Sequence, residues 1–160
     1  MALTIRRLIE EDAETISNIV CRNFSEVNIK DYSKNEMESL SKRFGKDKIL
    51  QINGFAHSYV ALIDNQLVGC GSIASFWGNL DESILLTMFV LPELHGNGIG
   101  KKIMETLECD EYFLRAKRIE IPSSITACEF YRKLGYDFKD GIKELDNEGH
   151  YKLEKFNTPL

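Results

Sequence analysis

The sequence lacks several features that would place the protein in a specialised class. It has no apolar run near the roughly 18 residues of a membrane-spanning helix. Its N-terminus has no apolar segment followed by a small-residue cleavage site. We therefore expect a cytoplasmic protein that does not bind a membrane. Repeats, low-complexity stretches and Pro- or Ser-rich linkers are absent as well, so residues 1–160 are predicted to form a single domain.

Cysteine and histidine are few and scattered along the chain. The four cysteines form no Cys-x-x-Cys pair, and the three histidines stand alone. Disulfide frameworks and zinc sites need such residues in clusters at characteristic spacings. The sequence therefore predicts free, buried thiols and no metal site.

An excess of basic residues is also missing. The chain has 20 Lys and Arg against 25 Asp and Glu, which gives a net charge of −5. Proteins that bind nucleic acid neutralise phosphates with a basic face, so nucleic acid is not an expected partner. This balance is more compatible with a cationic small substrate.

The spacing of apolar residues predicts alternating strands and helices, and hence an α/β fold. The predicted strands cover residues 4–8, 58–63, 67–74, 82–90, 118–121, 136–145 and 150–153. The predicted helices run from Asp12 to Phe24, over residues 32–44, from Gly98 to Leu107, and from Ser123 or Ser124 to Leu134. Residues 46–55 give an ambiguous pattern, for which a short helical turn is favoured.

A glycine-rich turn follows the apolar strand at residues 82–90. Gly96, Gly98 and Gly100 carry no Cβ, so main-chain N–H groups can converge on a phosphate at the N-terminus of the next helix. The spacing matches neither a Walker loop nor a dinucleotide fingerprint, which would need a third glycine at Lys101. A tight connection without a ligand is the alternative.

A second element, residues 124–136, favours ligand binding. Together the two elements resemble those of the GNAT acyltransferases. The family's [Q/R]-x-x-G-x-[G/A] element corresponds to residues 95–100, and its N-x-x-A-x-x-F-Y-x-K-x-G-[FY] signature corresponds to residues 124–136. His95 stands where Gln or Arg is usual, and Ser124 where Asn is usual, which affects the expected cofactor affinity more than the cofactor's identity.

The resemblance covers nearly the whole chain and implies the GNAT fold. This is a mixed central sheet of six to seven strands flanked by about four helices, with the fourth and fifth strands splayed apart. It also implies acetyl-CoA as co-substrate, with the pantetheine arm along the fourth strand and the diphosphate on the glycine turn. The implied cofactor-binding residues are Phe89, Val90, Leu91, His95, Gly96, Asn97, Gly98, Ile99, Gly100, Lys101, Ser124 and Tyr131.

The activity implied by the resemblance is direct transfer of an acetyl group to a primary amine of a small molecule or peptide. Tyr131 is the implied acid that protonates the leaving thiolate, and packing beside Phe130 is its alternative role. Glu120 is the candidate base, or else a surface partner of Arg118. Asp81 and Glu82 are reserve candidates for the base. The competing functions are a non-catalytic acyl-CoA sensor and an α/β scaffold without a CoA site.

In this family the acceptor is chosen by the regions that correspond to residues 23–44 and 140–150. Within the first region, Asp31, Glu36 and Glu38 are candidates to attract a cationic amine, or are solvated helix residues. Phe76 and Trp77 line the acceptor cleft or belong to the edge of the core. Family members often pair through sheet edges, so the resemblance also implies a homodimer as one arrangement. The identity of the acceptor and the acyl length stay open.

Overall fold

A computed structural model describes residues 2–157, so Met1 and residues 158–160 of the predicted domain lie outside it. The described chain forms one seven-stranded mixed sheet in the order β1-β2-β3-β4-β5-β7-β6. The strands are β1 (Leu3–Arg7), β2 (His57–Ile63), β3 (Gln66–Phe76), β4 (Asn79–Val90), β5 (Arg118–Ser123), β6 (Asp137–Phe138) and β7 (Tyr151–Phe156). The helices are α1 (Ala13–Glu26), α2 (Lys34–Arg43), α3 (Lys46–Phe55), α4 (Ile99–Leu107), α5 (Glu111–Leu114) and α6 (Cys128–Lys133). None of these helices is long and apolar enough to cross a lipid bilayer.

The strands β4 and β5 form the parallel pair of the sheet, and they separate after a short contact. Their pairing runs only from Glu82 to Ile84 on β4, opposite Arg118 to Glu120 on β5. From residue 85 to residue 90, β4 keeps its antiparallel neighbour β3 but has no partner on the other side. The splay that the family resemblance implies is therefore confirmed, and with it the fold.

A β-bulge lies in the part of β4 that has left β5. Thr87 and Met88 together oppose the single residue Gly71 on β3. Thr87 has a φ of 54°, which is rare for a β-branched residue. The thiol of Cys70 donates to the Thr87 carbonyl at 3.2 Å and so supports this conformation. Because a bulge bends its strand, it turns the main chain of β4 further from β5.

The two faces of the sheet are covered to different extents. On one face, α4, α5 and α6 pack over the sheet, and Ile119, Ile121 and Leu153 of β5 and β7 belong to this core. On the other face, α1 packs on β3 and β4, α3 packs on β2 and β3, and α2 packs on α1. Because side chains alternate along a strand, Glu120 and Glu154 project from this second face. A polar part of the sheet is thus left at the edge of the helical layer, and a cleft forms there.

Several elements differ in extent from those predicted by the sequence pattern: α6 begins at Cys128 instead of Ser123 or Ser124, and β7 continues to Phe156 instead of residue 153. The largest differences concern α3 and β6. Residues 46–55 form the full helix α3, in which Ile49 and Ile52 are buried at helical spacing. The strand predicted at residues 136–145 is reduced to the two residues of β6. The chain turns away after Phe138, where Asp140 and Gly141 adopt positive φ values of 53° and 71°. With α3 and α5 added, the described chain has six helices where about four were implied.

Asp12 does not cap α1 as the sequence suggested. Its carboxylate accepts from the Ile9 N–H at 2.9 Å and from Arg6 at 2.7 Å, which fixes the turn before the helix. Burial acts to raise the pKa of Asp12, but these hydrogen bonds outweigh it, so that the pKa lies below its usual value. The residue therefore stabilises the entry to α1 from outside the helix.

Candidate active site

Two glycines shape the turn between β4 and α4. Gly96 and Gly98 have φ values of 82° and 79°, a region that L-residues rarely adopt. A Cβ atom at either position would meet no protein atom within 4 Å, so the space beside them is open. Within residues 2–157, the main-chain N–H groups from Gly96 to Lys101 donate to no protein acceptor. These amides are therefore available to an anion at the start of α4.

Gly100 is needed for a different reason. Its φ is ordinary, but a Cβ there would lie 3.2 Å from Cζ of the Phe130 ring on α6. That distance is shorter than normal van der Waals contact. Gly100 thus permits α4 to approach α6, whereas Gly96 and Gly98 permit the turn.

The polar side chains of the turn bond to the protein itself. His95 Nε2 donates to the Val90 carbonyl at 2.9 Å, and Asn97 Nδ2 donates to the Leu94 carbonyl at 2.9 Å. Because a carbonyl oxygen only accepts, the proton of His95 lies on Nε2, and Nδ1 is the atom left for other contacts. Both side chains shape the loop that presents the amides.

The end of β4 is held by main-chain and side-chain contacts that limit what it can offer a ligand. The buried side chain of Asn23 on α1 also donates to the Val90 carbonyl, at 2.9 Å. The Leu91 N–H donates to Val68 on β3, at 2.8 Å. The Val90 carbonyl and the Leu91 N–H are therefore taken. Pantetheine contacts at Phe89, Val90 and Leu91 stay a prediction that relies on other atoms of these residues.

A cleft of about 1370 Å³ opens beside the unpaired part of β4. It lies between the helical layer α1–α3, the floor formed by β4 and β5, and the loop at residues 146–150. Tyr131, Glu120 and Ser124 all line it, as do Phe76 and Trp77. The structure thus brings the candidate acid, the candidate base and the proposed acceptor aromatics to one cavity, while the glycine turn lies outside it.

Tyr131 is placed by α6 with its ring buried and its hydroxyl at the cleft. The ring packs edge-on against Phe130, with centroids 5.3 Å apart, and the residue is only 5% exposed. Its hydroxyl makes no hydrogen bond within the described residues and is not fully shielded from solvent, unlike that of Tyr136. Burial raises the pKa of Tyr131 above its ordinary value, and Cys70 nearby adds to the rise. The phenol is therefore protonated at neutral pH.

Glu120 is buried and belongs to an ion-pair network. Its Oε1 lies 2.9 Å from Nη1 of Arg118 and 2.8 Å from Nζ of Lys139. Arg118 also pairs with Glu82 at 2.8 Å and with Glu154 at 3.1 Å. The second oxygen of Glu120, Oε2, accepts no hydrogen bond from the described residues. Glu120 pairs with Arg118 as one interpretation of the sequence expected, but it is buried rather than at the surface. It also lines the cleft, and its role as the base stays a prediction.

The reserve candidates for the base are placed less favourably. Glu82 is bound by two nitrogens of Arg118, at 2.8 and 3.0 Å, and does not line the cleft. Asp81 is largely exposed, lies 3.7 Å from Lys117 and is also outside the cleft. Glu120 is therefore the better placed of the three carboxylates.

The three acidic residues considered for acceptor choice are not brought together. Asp31 accepts from Thr126 at 2.7 Å, and Glu38 is exposed and lies 3.9 Å from Lys34. Glu36 lines the cleft, but its carboxylate accepts from the Ser33 N–H at 3.1 Å as part of the α2 capping box. Each of them therefore has a structural contact.

Tyr32 has a role that the sequence pattern did not indicate, whereas the sequence already places Ser123 or Ser124 at the cap of the helix that leads to Leu134. The Tyr32 hydroxyl accepts from the Ile125 N–H at 2.8 Å and donates to the Gly149 carbonyl at 2.6 Å. It thereby joins three segments that border the cleft. Ser124 Oγ accepts from the Ala127 N–H at 3.1 Å, which fixes the turn into α6. Tyr32 carries no local signal, because its partners are remote in the sequence. A contact of Ser124 with the cofactor stays a prediction.

A family model described as an acetyltransferase (GNAT) domain matches residues 54–137, just over half of the chain. The chain belongs to the GNAT acetyltransferase family. The matched region includes the bulged strand β4, the free amides and all of α6, so the family match falls on the features described above. No curated protein matches the sequence significantly.

Solved structures of GNAT proteins share this fold at low sequence identity. The PaiA N-acetyltransferase from Thermoplasma acidophilum, in complex with coenzyme A, has a TM-score of 0.82 at 21% identity, covering 98% of this chain and 100% of its own. A GCN5-related N-acetyltransferase from Rhodopseudomonas palustris has a TM-score of 0.78 at 21% identity, covering 98% and 99%. A GNAT family acetyltransferase from Brucella melitensis, in complex with acetyl-CoA, has a TM-score of 0.67 at 20% identity, covering 99% and 90%.

Proposed function

We propose that this GNAT protein transfers an acetyl group from acetyl-CoA to a primary amine of a small molecule or peptide. The observation that carries the proposal is the row of free main-chain amides from Gly96 to Lys101, next to a strand edge that leads into the cleft of Tyr131. The complexes of the Thermoplasma acidophilum and Brucella melitensis proteins with coenzyme A and acetyl-CoA support this choice of donor.

The glycine turn fits a diphosphate. Six consecutive N–H groups have no protein acceptor among the described residues, and the open space beside Gly96 and Gly98 admits an anion without a steric clash. The helix dipole of α4 adds partial positive charge at the same point. The exposed side chain of Lys101 contributes a screened attraction to the phosphates.

In the proposed reaction the amine nitrogen attacks the thioester carbon, so that a C–N bond forms and the C–S bond breaks. Glu120 takes the proton from the attacking amine at Oε2, directly or through a water molecule. Tyr131 gives its proton to the departing sulfur, and its phenol carries that proton at neutral pH because burial raises its pKa above the ordinary value. Proton exchange with solvent then restores both residues.

Direct transfer in a ternary complex is favoured over a covalent enzyme intermediate. Cys70 is the thiol near Tyr131, and burial raises the pKa of Cys70 to about 12. It is therefore a neutral thiol at physiological pH, and its Sγ donates to the Thr87 carbonyl. A buried neutral thiol is a poor nucleophile.

The test is thiol release from acetyl-CoA in the presence of a panel of amines, with Tyr131→Phe and Tyr136→Phe as paired variants. Tyr131→Phe should lower kcat by about 100-fold, because the acid is lost. The Kd for coenzyme A, measured by calorimetry, should change less than about twofold, since only a hydroxyl is removed. Tyr136 has a buried hydroxyl without a hydrogen-bond partner, so Tyr136→Phe should keep the wild-type rate.

Three outcomes would contradict the proposal. Binding of coenzyme A without thiol release from any amine would indicate an acyl-CoA sensor. Absence of binding heat at cofactor concentrations well above the micromolar range would indicate a scaffold without a CoA site. An unchanged kcat in Tyr131→Phe would remove Tyr131 from the chemistry. A homodimer formed through the sheet edges β1 or β6 is a separate proposal that sedimentation can test.

A further inference from the structure

A basic turn, residues 42–48, joins α2 to α3 at the rim of the cleft. It contains four cationic residues and one carboxylate, although the whole chain has a net charge of −5. Arg43 and Lys48 line the cleft, while Lys42 and Lys46 lie on the outer surface of the turn. Positive charge is therefore concentrated at one side of the acceptor cavity in an otherwise acidic protein.

The cations of the basic turn are not neutralised by the protein. Across residues 2–157, no carboxylate oxygen lies within 4.0 Å of a side-chain nitrogen of Arg43 or Lys48. Lys48 Nζ lies 6.0 Å from the centroid of the Phe44 ring. It forms no ion pair with a carboxylate of the described chain. By contrast, Lys139 in the same cleft is paired with Glu120 at 2.8 Å. Arg43 and Lys48 therefore remain available to an external anion.

The main chain of the basic turn is fixed in place. The Phe44 carbonyl accepts from Ser17 Oγ at 2.6 Å and from the Cys21 thiol at 3.7 Å, both on α1. The Phe44 ring packs edge-on against Phe24 of α1, with centroids 5.6 Å apart. Because α1 packs on the sheet, the turn holds its position relative to the floor of the cleft. An anion bound there would be held at a defined distance from the reacting end of the cavity.

The carboxylates of the cleft are mostly engaged elsewhere. Glu120 is paired with two cations, Glu36 accepts from the Ser33 N–H, and Asp146 accepts from the main-chain N–H groups of Glu148 and His150. The side chain of Glu148 makes no hydrogen bond or ion pair with the described residues. Negative charge without a cationic partner thus lies at Glu36, Asp146 and Glu148, whereas Arg43 and Lys48 bring unpaired positive charge to the basic turn, where an anionic group of the acceptor can bind.

We propose that the acceptor carries an anionic group, a carboxylate or a phosphate, which Arg43 and Lys48 bind while its amine points toward Glu120 and Tyr131. This inference rests on the proposed acetyltransferase function and names the class of its substrate. It differs from the expectation, based on Asp31, Glu36 and Glu38, that acidic groups select a cationic acceptor. A guanidinium and an ammonium together bind either anion, so the experiment must separate the two sources.

The experiment uses paired amines, of which one carries an anionic group and the other does not. One pair is 4-aminobutyrate and 4-aminobutanamide, and the other is O-phosphoethanolamine and ethanolamine. We expect kcat/KM for the charged member of at least one pair to exceed that of its neutral partner by about 10-fold. The pair that shows the larger ratio identifies carboxylate or phosphate as the preferred group.

The double variant Arg43→Gln, Lys48→Gln should abolish this ratio while leaving the Kd for coenzyme A and the rate with the neutral amines unchanged. The matched control is Arg7→Gln, Lys34→Gln, which removes the same charges outside the cleft and should keep the preference. If the double variant raised the KM for acetyl-CoA instead, the basic turn would serve the donor and the inference would be wrong. Equal rates within both pairs would also overturn it while leaving the acetyltransferase function intact.

A readout without turnover separates failure of the inference from failure of the function. Trp77 is the one tryptophan of the chain and lines the same cleft, so its fluorescence reports on binding. If no amine releases thiol, the protein is titrated with 4-aminobutyrate and with O-phosphoethanolamine, and the change in Trp77 fluorescence still tests for the anion site. Binding by the wild type that is lost in the Arg43→Gln, Lys48→Gln variant would support the anion site. Binding that persists in this variant, or no binding by the wild type, would overturn it.

Discussion

The glycine turn and the floor of the cleft differ in the chemical groups that they present. The turn offers main-chain N–H groups from Gly96 to Lys101, and its side chains of His95 and Asn97 bond to loop carbonyls. The floor offers side chains, with Arg118 at the centre of an ion-pair network that includes Glu120. One region depends on backbone conformation and the other on the identity of a few charged groups.

This difference separates two kinds of constraint. Recognition by the main chain needs glycine where φ is positive and depends less on the other side chains of the turn, such as His95, whose ring bonds to the Val90 carbonyl. Recognition by side chains tolerates changes in the main chain of the loops, but it needs each charged group of the Arg118 network to keep its ion-pair partner. Substitutions should therefore affect donor binding and acceptor chemistry independently.

The largest effect is expected from Gly98→Val. A β-branched residue at a φ of 79° is strained, and its side chain would occupy the open space where the diphosphate is proposed to bind. The Kd for coenzyme A, measured by calorimetry, should rise by about 100-fold or more, which corresponds to about 2.7 kcal/mol. Circular dichroism should show that the fold is retained.

Gly54→Val is the matched control for this substitution. Gly54 lies in α3 with an ordinary φ, and a Cβ there meets no atom within 4 Å. The same change of side chain should therefore leave the Kd for coenzyme A unchanged. A Gly98→Val protein that bound coenzyme A as tightly as the wild type would show that the amides of the turn are not the donor site.

A smaller effect, on stability, is expected from Arg118→Gln. The substitution leaves Glu82, Glu120 and Glu154 close together, with Lys139 as the remaining cation of the network. Because Arg118 is only 12% exposed, its loss should lower the free energy of unfolding by about 2–3 kcal/mol, as measured by urea denaturation. If the two regions are independent, the Kd for coenzyme A should not change.

Arg22→Gln provides the control, since Arg22 also pairs with two carboxylates, Glu26 and Glu93, but on the exposed surface. Solvent screening makes such pairs weak, so stability should hardly change. A loss of stability in Arg22→Gln as large as that in Arg118→Gln would mean that burial does not distinguish the two networks. A weaker affinity for coenzyme A in Arg118→Gln would mean that floor and turn are coupled.

The same contrast explains what the sequence could predict. Two local signals are the glycine spacing at residues 95–100 and the Phe130-Tyr131 pair. From these short motifs one can predict the turn, most of the fold and the position of Tyr131 at the cleft. Of the ion-pair network, the sequence suggested only the pair of Glu120 and Arg118. The rest could not be predicted, because Glu82, Arg118 and Glu154 come from three strands and meet only through strand register. Nor does any local pattern place Asn23 against the Val90 carbonyl, or Lys139 against Glu120.

The short strand β6 is a second feature that the local sequence pattern did not predict. Residues 136–145 contain apolar residues that are compatible with a strand, and only the tertiary environment ends pairing after Phe138. Lys139 is released from the ladder there and reaches the buried carboxylate of Glu120 at 2.8 Å. The part of the chain that departs most from its local pattern thus supplies a charge to the cleft.

The smallest expected effect concerns the dependence of turnover on pH. It tests whether burial sets the protonation of Tyr131 in the cleft. Burial disfavours the charged phenolate of Tyr131, so the pKa of Tyr131 is raised and the acid stays protonated to higher pH than a free tyrosine. The reference value is about 10, so kcat should show no falling limb below about pH 10. Initial rates of thiol release between pH 7 and pH 10.5, corrected for spontaneous thioester hydrolysis, check this. A falling limb centred near pH 8 or 9 that disappears in Tyr131→Phe would show instead that the phenol ionises easily, and then the surroundings of Tyr131 could not keep it as an acid.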